Sequence, residues 1–360
     1  MKQFEQSTYL NNSHQQVTVV QEQQIQQAIE LLTQGRCVGM PTETVYGLAA
    51  DALNPLAVAQ VFATKQRPAF DPLIVHVTPK LNLEDYVELN ETAQILMQEF
   101  WPGPLTLLME KKSIISDLVT SGHPTVAVRC PAHPLAQELI NNFGGPLVAP
   151  SANLFSQLSP TSAQAVYAGL GDAIELVVDG GPCEIGLEST IVNTTKAYPE
   201  LPLLRLGGVA SETLSELGFE LSYPTPIIGQ APGTLKNHYA PRVPLYLWEP
   251  SACSQTILQP KSIAKQLDKL DTKQAAWLGF QEHRSDFAHS LVLSESASLT
   301  ESAHRVFSSL RELGDMQAKF IIAELPPERG LGRAIRDRLK RGASGFVYLD
   351  QDQWIKQDRH

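Results

Sequence analysis

Between Pro41 and Ala210 the chain has eight Lys and Arg against seventeen Asp and Glu. Half of those cations, Lys65, Arg67, Arg129 and Arg205, each lie beside a Pro, a Gly or a hydroxyl-rich turn. Few cations gathered at loop–strand junctions in an acidic stretch point to a pocket for one compact anion, not to a broad nucleic-acid footprint. Lys65 and Arg67 end a helical stretch before Pro68. They suit a phosphate clamp, because Arg offers a planar fork and Lys a point charge. They suit equally well the compensation of a helix C-terminus. Arg129 follows the apolar run Val126-Ala127-Val128, and Pro150-Ser151-Ala152-Asn153 follows Leu147 to Ala149. Open α/β sheets present ligand-binding groups at such strand ends. Thr42, Glu43 and Thr44 stand between a short strand and a helix-like stretch, where spacing alone favours capping over ligand binding. His76 closes the run Leu73-Ile74-Val75, a place more often held by a satisfied interior histidine. The chain has no Walker-type phosphate loop, no complete G-x-G-x-x-G, no His/Cys metal spacing and no nucleophile elbow. A nucleotide would have to be held by several loops together.

The elements that must position these residues follow from the apolar spacing. Helices are predicted over Gln21–Thr33, Val58–Lys65, Glu91–Phe100, Leu135–Asn141 and Ser162–Ala168. Strands are predicted over Cys37–Met40, Leu73–Val77, Leu105–Met109, Thr125–Val128, Leu147–Ala149, Ile174–Val178 and Thr190–Val192. Trp101-Pro102-Gly103-Pro104 reads as a rigid turn entering a strand. From Tyr223 to Pro244 five prolines and two glycines give an extended, linker-like texture. Beyond it, strands are predicted over Leu245–Trp248, Ala275–Phe280, Ser290–Leu293, Phe320–Leu325 and Gly345–Tyr348. Helices are predicted over Ser262–Leu270, Ser298–Leu313 and Gly332–Arg341. The mixture is α/β: a sheet domain over residues 20–210, a linker over 211–244 and a smaller α/β domain over 245–350.

The bulk properties bound the function. At 360 residues the chain fits two domains. A net charge of -10 argues against non-specific attraction to nucleic acid or membranes. Cys37, Cys130, Cys183 and Cys253 are scattered and read as buried reduced thiols, and the polar N-terminus has no apolar leader, so a cytoplasmic location is expected.

Taken as a set, the motifs resemble the YrdC-like domain. They are Pro41–Leu48, Lys65–His76, Trp101–Thr106, Val126–Leu135, Pro150–Asn153, Ser159–Thr161, Asp179–Thr190 and Leu204-Arg205. The Pro-rich stretch with His238-Tyr239-Ala240-Pro241 is similar to the interdomain linker of the long L-threonylcarbamoyladenylate synthases. The Leu331–Ile335 and Asp337-Arg338-Leu339 stretches resemble the end of their C-terminal domain. The resemblance implies a twisted mixed sheet around a large cavity, followed by a small Rossmann-like domain. It implies conversion of L-threonine, bicarbonate and ATP with Mg²⁺ to threonylcarbamoyl-AMP and pyrophosphate. The product would pass to a separate tRNA threonylcarbamoyl transferase complex, with at most a weak contact to tRNA and none to a membrane. By the same resemblance Thr44, His76, Arg129, Ser189 and Thr190 surround threonine. Arg67, Asp71, Thr125, Ala149, Ser151, Ser159, Arg205 and Tyr239 hold the nucleotide, and Lys65 and Arg67 serve the phosphates as catalytic cations. Asp71 departs from the family's usual Asn and would repel phosphates unless Mg²⁺ or Lys65 compensates. The alternative function is an RNA-binding module without catalysis.

Overall fold

The computed structural model describes residues 19–68, 70–224, 239–249, 268–350 and 353–358. Nine strands form the first sheet: β1 (Val38–Met40), β2 (Gly47–Asp51), β3 (Ile74–His76), β4 (Leu105–Glu110), β5 (Thr125–Arg129), β6 (Leu147–Val148), β7 (Thr190–Asn193), β8 (Glu200–Arg205) and β9 (Glu220–Ser222). Their order is β1-β2-β6-β3-β5-β4-β7-β8-β9. Parallel pairs β3/β5, β4/β7 and β8/β9 sit among antiparallel ones, so the sheet is mixed. The helices of this part are α1 (Val19–Thr33), α2 (Pro55–Lys65), α3 (Glu91–Phe100), α4 (Asp117–Thr120), α5 (Pro134–Phe143), α6 (Ala163–Leu170) and α7 (Ser211–Glu216). Two cores flank the sheet. Ile25, Ala28 and Leu32 of α1 pack with Leu135, Leu139 and Ile140 of α5. The larger core joins Val58, Val61 and Phe62 of α2 to Leu105, Leu107, Val126 and Val128.

The second sheet has the order β11-β16-β15-β10-β14-β12-β13. Its strands are β10 (Leu245–Trp248), β11 (Asp268–Lys269), β12 (Ala275–Gly279), β13 (His289–Val292), β14 (Phe320–Glu324), β15 (Gly345–Asp350) and β16 (Gln353–Asp358). Strands β15, β10, β14, β12 and β13 are parallel, and β16 runs antiparallel to both of its neighbours, β15 and β11. Helices α8 (Leu299–Asp315) and α9 (Leu331–Gly342) cover one face. Trp277, Phe287 and Trp354 fill the other. Parallel strands buried on both faces carry near-continuous apolar runs, which is why Leu245–Trp248 and Phe320–Glu324 were readable as strands.

Several expectations need correction. The stretch after Thr44 is not helical. Its Gly-Leu-Ala-Ala run is strand β2, buried on both faces, where packing overrides alanine's helix preference. Ile174–Val178 forms a single bridge, Gly39 to Val177, rather than a strand. Strands β8 and β9 and helix α7 were not predicted, and the last two lie within the stretch assigned to the linker. Residues 225–238 of that linker and 262–267 of the helix predicted over Ser262–Leu270 lie outside the described residues, and Asp268–Lys269 is a strand.

The two sheets share a core. Val45, Leu158 and Leu187 of the first part pack with Tyr239 and with Phe307, Leu310 and Leu339 of the second. Gly186 has φ +78°, and a Cβ there would lie 2.6 Å from the Ala303 carbonyl oxygen, so this contact requires glycine. Among the described residues no helix is long and apolar enough to cross a membrane.

Candidate active site

Register places the first two site residues. In the parallel β3/β5 pair His76 lies opposite Arg129, and both are buried. The turn Trp101–Pro104 supports them. Gly103 donates its N–H to the Cys130 carbonyl and accepts from Arg129 Nε at 3.2 Å. Arg129 Nη1 donates to Thr44 Oγ1 at 2.7 Å, and Nη2 lies 2.6 Å from Glu43 Oε1. That last contact is a charge pair without hydrogen-bond alignment, since neither Glu43 oxygen nor Nη2 has an aligned partner. Thr42 Oγ1 accepts from the Thr44 and Val45 amides and donates to the Val45 carbonyl, which fixes the turn presenting Thr44. This is the capping chemistry expected of the motif, applied to a loop.

Arg67 is delivered by α2. Asn54 caps that helix by accepting from the Leu56 and Ala57 amides, Pro55 opens it, and Gln66 ends it in the left-handed region. Arg67 Nε then donates to the Asp71 carbonyl and Nη2 to the Pro72 carbonyl, with Nη2 2.9 Å from Asp71 Oδ2. Asp71 therefore balances Arg67 instead of opposing it. Burial raises the Asp71 carboxyl while Arg67, Lys65 and Arg205 oppose the rise, and burial lowers Arg67. On β8, Arg205 donates to the Ser189 carbonyl through Nε and Nη2 and to Ser189 Oγ through Nη2. Burial draws Arg205 down to about 10, so it stays charged at neutral pH.

These groups face one cavity with about 550 Å³ of empty space counted out to its mouth. Nine predicted site residues line it: Thr44, Arg67, His76, Arg129, Ala149, Ser151, Ser189, Arg205 and Tyr239. Five do not. Lys65 Nζ is buried against the carbonyls of Ser151 and Asn153, at 2.5 and 2.6 Å, so it braces the Ser-Ala-Asn loop from behind. Burial pushes its pKa well below the usual range, with Arg67 adding to that. Asp71 lies behind Arg67. Thr125 pairs with Glu110 at the far end of β5 from Arg129. Ser159 donates to Glu188 Oε1, and Thr190 Oγ1 is spent on the Val209 backbone.

The cavity wall also includes Thr42, Val45, Gly47, Ile74, Pro150 and Glu188, which were not assigned to it. A Cβ at Gly47 would come within 2.9 Å of the Ala149 Cβ, so only glycine lets β2 approach this wall. Glu188 has its strongest partner 150 residues away in the sequence, at Arg338, and no local spacing reveals it. Burial alone would raise the Glu188 carboxyl. Arg338, Arg205 and hydrogen bonds from Ser159 and Arg338 hold it instead at about 2. His76 Nδ1 lies 3.2 Å from the Ile74 carbonyl oxygen and so carries the ring proton, leaving Nε2 as an acceptor. Burial, aided by Arg129, lowers this imidazole to about 3, so it is neutral at physiological pH. Tyr239, at φ 69°, is buried with its ring stacked on Phe307 at 5.5 Å.

Buried arginines, a neutral imidazole and hydroxyls thus surround one cavity of a mixed α/β sheet that is backed by a small, mainly parallel-sheet domain. Comparison with known proteins narrows this. A family model described as "Telomere recombination" matches residues 30–207. A second, described as "Threonylcarbamoyl-AMP synthase, C-terminal domain", matches residues 209–344. The threonylcarbamoyl-AMP synthase of Bacillus subtilis is 38% identical over 336 residues, covering 90% of this chain and 94% of that protein. That of Pyrococcus abyssi is 36% identical over 334 residues, covering 91% and 96%. A crystal structure of P. abyssi Sua5 complexed with L-threonine superposes with TM-score 0.77 at 34% identity, covering 89% of this chain and 94% of that one. The chain belongs to the threonylcarbamoyl-AMP synthase family.

Proposed function

We propose that this chain makes threonylcarbamoyl-AMP and pyrophosphate from L-threonine, bicarbonate and ATP, and that the product feeds threonylcarbamoyladenosine formation on tRNA through a separate transferase complex. The observation that carries the reading is the convergence of Arg67, Arg129 and Arg205 with His76, Thr44 and Ser189 on one cavity, in a chain of this family. Arg129 pairs with the threonine carboxylate. Its guanidinium has five N–H donors, of which one goes to Gly103 and one to Thr44, so others remain for a ligand. Thr44, Ser189 and neutral His76 face the threonine side chain and amine. Arg67 and Arg205 take the phosphates, and Ala149 and Ser151 flank the nucleotide.

The reaction needs no protein nucleophile. The unprotonated amine adds to carbon dioxide with loss of a proton, or to bicarbonate with loss of water, to form a carbamate. A carbamate oxygen then attacks the α-phosphorus of ATP, and the bond to pyrophosphate breaks. Catalysis is positioning plus charge stabilisation by the arginines. Mg²⁺ arrives with the ATP phosphates. Among the described residues no group of three or more His, Cys, Asp or Glu is placed to hold a metal, and Glu188 is committed to Ser159 and Arg338. Tyr239 covers the cavity and keeps water from the labile carbamate. RNA binding without catalysis is disfavoured, because four of the eight cations between Pro41 and Ala210 are buried, Arg67, Arg129 and Arg205 on the cavity wall and Lys65 behind it. Pyrophosphate release assayed with threonine, bicarbonate and ATP omitted in turn tests the proposal. Release must require all three, and release without threonine would refute it.

A further inference from the structure

The second domain supplies one side chain that reaches the back of the cavity. Arg338, on α9, is 1% exposed and is among the largest fully buried side chains of the protein. Its Nε donates to Glu188 Oε2 at 2.7 Å and its Nη2 to the Leu206 carbonyl at 2.7 Å. Nη1 donates to Asp337 Oδ2 at 2.6 Å, and Asp337 is itself held by Arg341 Nε. The guanidinium carbon stands 5.1 Å from the centre of the Tyr239 ring, within the range of a cation–π contact. Four residues on, Gly342 lets the Tyr239 backbone pass, for a Cβ there would lie 2.3 Å from the Tyr239 carbonyl oxygen.

The contacts to Glu188, Leu206 and Tyr239 end on or next to groups facing the cavity. Leu206 follows Arg205. Glu188 precedes Ser189, which accepts three contacts from Arg205. Through its other oxygen Glu188 also holds Ser159, whose backbone carbonyl accepts from Arg311 of the same second domain. Arg338 does not itself line the cavity.

We infer that Arg338 is a positioning residue for the reaction: one guanidinium of the second domain holds Glu188, the Arg205–Leu206 junction and Tyr239 in the arrangement that receives the nucleotide. The inference rests on the proposed reaction. A planar fork makes these three contacts together, and an ammonium cannot. Without the fork the same wall residues are present but populate the receptive arrangement only part of the time. Apparent affinity then falls by that fraction, while turnover at saturation is kept.

The test uses the intact chain. Arg338→Lys keeps a buried positive charge beside Glu188. It is expected to stay folded, with the KM for ATP raised about tenfold and kcat within about twofold of the parent. Should it fail to fold, Glu188→Gln combined with Arg338→Met removes both charges, which buried pairs tolerate better than loss of one partner. The same rise in KM is expected there. The binding of Mg²⁺–ATP to parent and variant, followed by calorimetry, accompanies the kinetics. A parent that makes no pyrophosphate refutes the reaction, and the ratio of the two ATP affinities still decides the inference. Parent-like ATP affinity in either folded variant overturns it. So does a loss of kcat at saturation with KM unchanged, since Arg338 would then act on the chemical step.

Discussion

The cavity has two sides that are held in different ways. On one side His76, Arg129 and Arg205 sit on β3, β5 and β8, fixed by strand register and by neighbours such as Gly103 and Ser189. On the other side Glu188 and Tyr239 meet Arg338 across the domain boundary, an arginine 150 residues from Glu188 that also donates to the Leu206 carbonyl. The contrast teaches that the charges lining the cavity belong to the first domain, while Arg338 of the second bonds the backbone and side chains beside them. Charge balance is common to both sides. Arg129 has Glu43, Arg67 has Asp71, and Arg338 has Glu188, all buried. A buried charge without a partner would shift its pKa or destabilise the fold, so Arg129 and Arg67 on the cavity wall and Arg338 behind it each come with a carboxylate.

The strand-held side is tested most sharply by the choice of amino acid. A wall that hydrogen-bonds a substrate hydroxyl rejects an isostere lacking it far more strongly than it rejects a missing methyl. Valine is expected to be discriminated by about 10⁴-fold against threonine and serine by only about 10–200-fold. Pyrophosphate release with the three amino acids at fixed bicarbonate gives the ratio. Equal turnover of valine and serine would mean that Thr44, Ser189 and His76 do not face the side chain.

Next in size is the loss of one partner from a buried pair. Arg129→Ala leaves Glu43 buried and alone, at an expected cost of about 3–5 kcal/mol in urea unfolding together with loss of threonine-dependent activity. Arg242→Ala is the matched control. It breaks a pair with Asp315 whose side chains are 70% and 52% exposed, and it is expected to cost about 1 kcal/mol or less. Similar costs for the two would remove the distinction between cavity pairs and surface pairs.

The smallest effect is a pH slope. The His76 imidazole is lowered to about 3, chiefly by burial, against an ordinary value near 6.5. The unfolded chain therefore takes up a proton before the folded one does. The stability contributed is complete above about pH 6.5 and falls away as the pH drops towards 3. His76→Gln is expected to flatten the dependence of unfolding free energy on pH below 6.5. An unchanged slope would place a charged imidazole in the folded protein.

How much of this was legible in the sequence divides along the same line. Arg129 at a strand end and Ser151 after Leu147–Ala149 carry local signals, and the structure puts them on the wall. His76 also lines it, but its place in the sequence read as a satisfied interior histidine and only the family resemblance pointed to the site. Lys65 carried a local signal too, and it misled. A cation at a helix end beside an arginine resembles a phosphate clamp, but its ammonium meets backbone carbonyls on the loop it supports. Strand β2 was missed because an alanine-rich run does not show that both its faces are covered. Glu188 was missed because its partners Arg338 and Ser159 lie far away in the chain. No periodicity within a window of ordinary length records such a pairing.

The central claim is that one cavity joins threonine, bicarbonate and ATP. It is tested most directly by incubating the intact chain with all three and Mg²⁺, using isotopically labelled bicarbonate, and weighing the nucleotide products after rapid quenching. The account predicts an adenylate whose mass includes both threonine and the labelled carbon, and its absence when threonine is left out. An adenylate of threonine without the labelled carbon, or ADP as the sole new nucleotide, would contradict it.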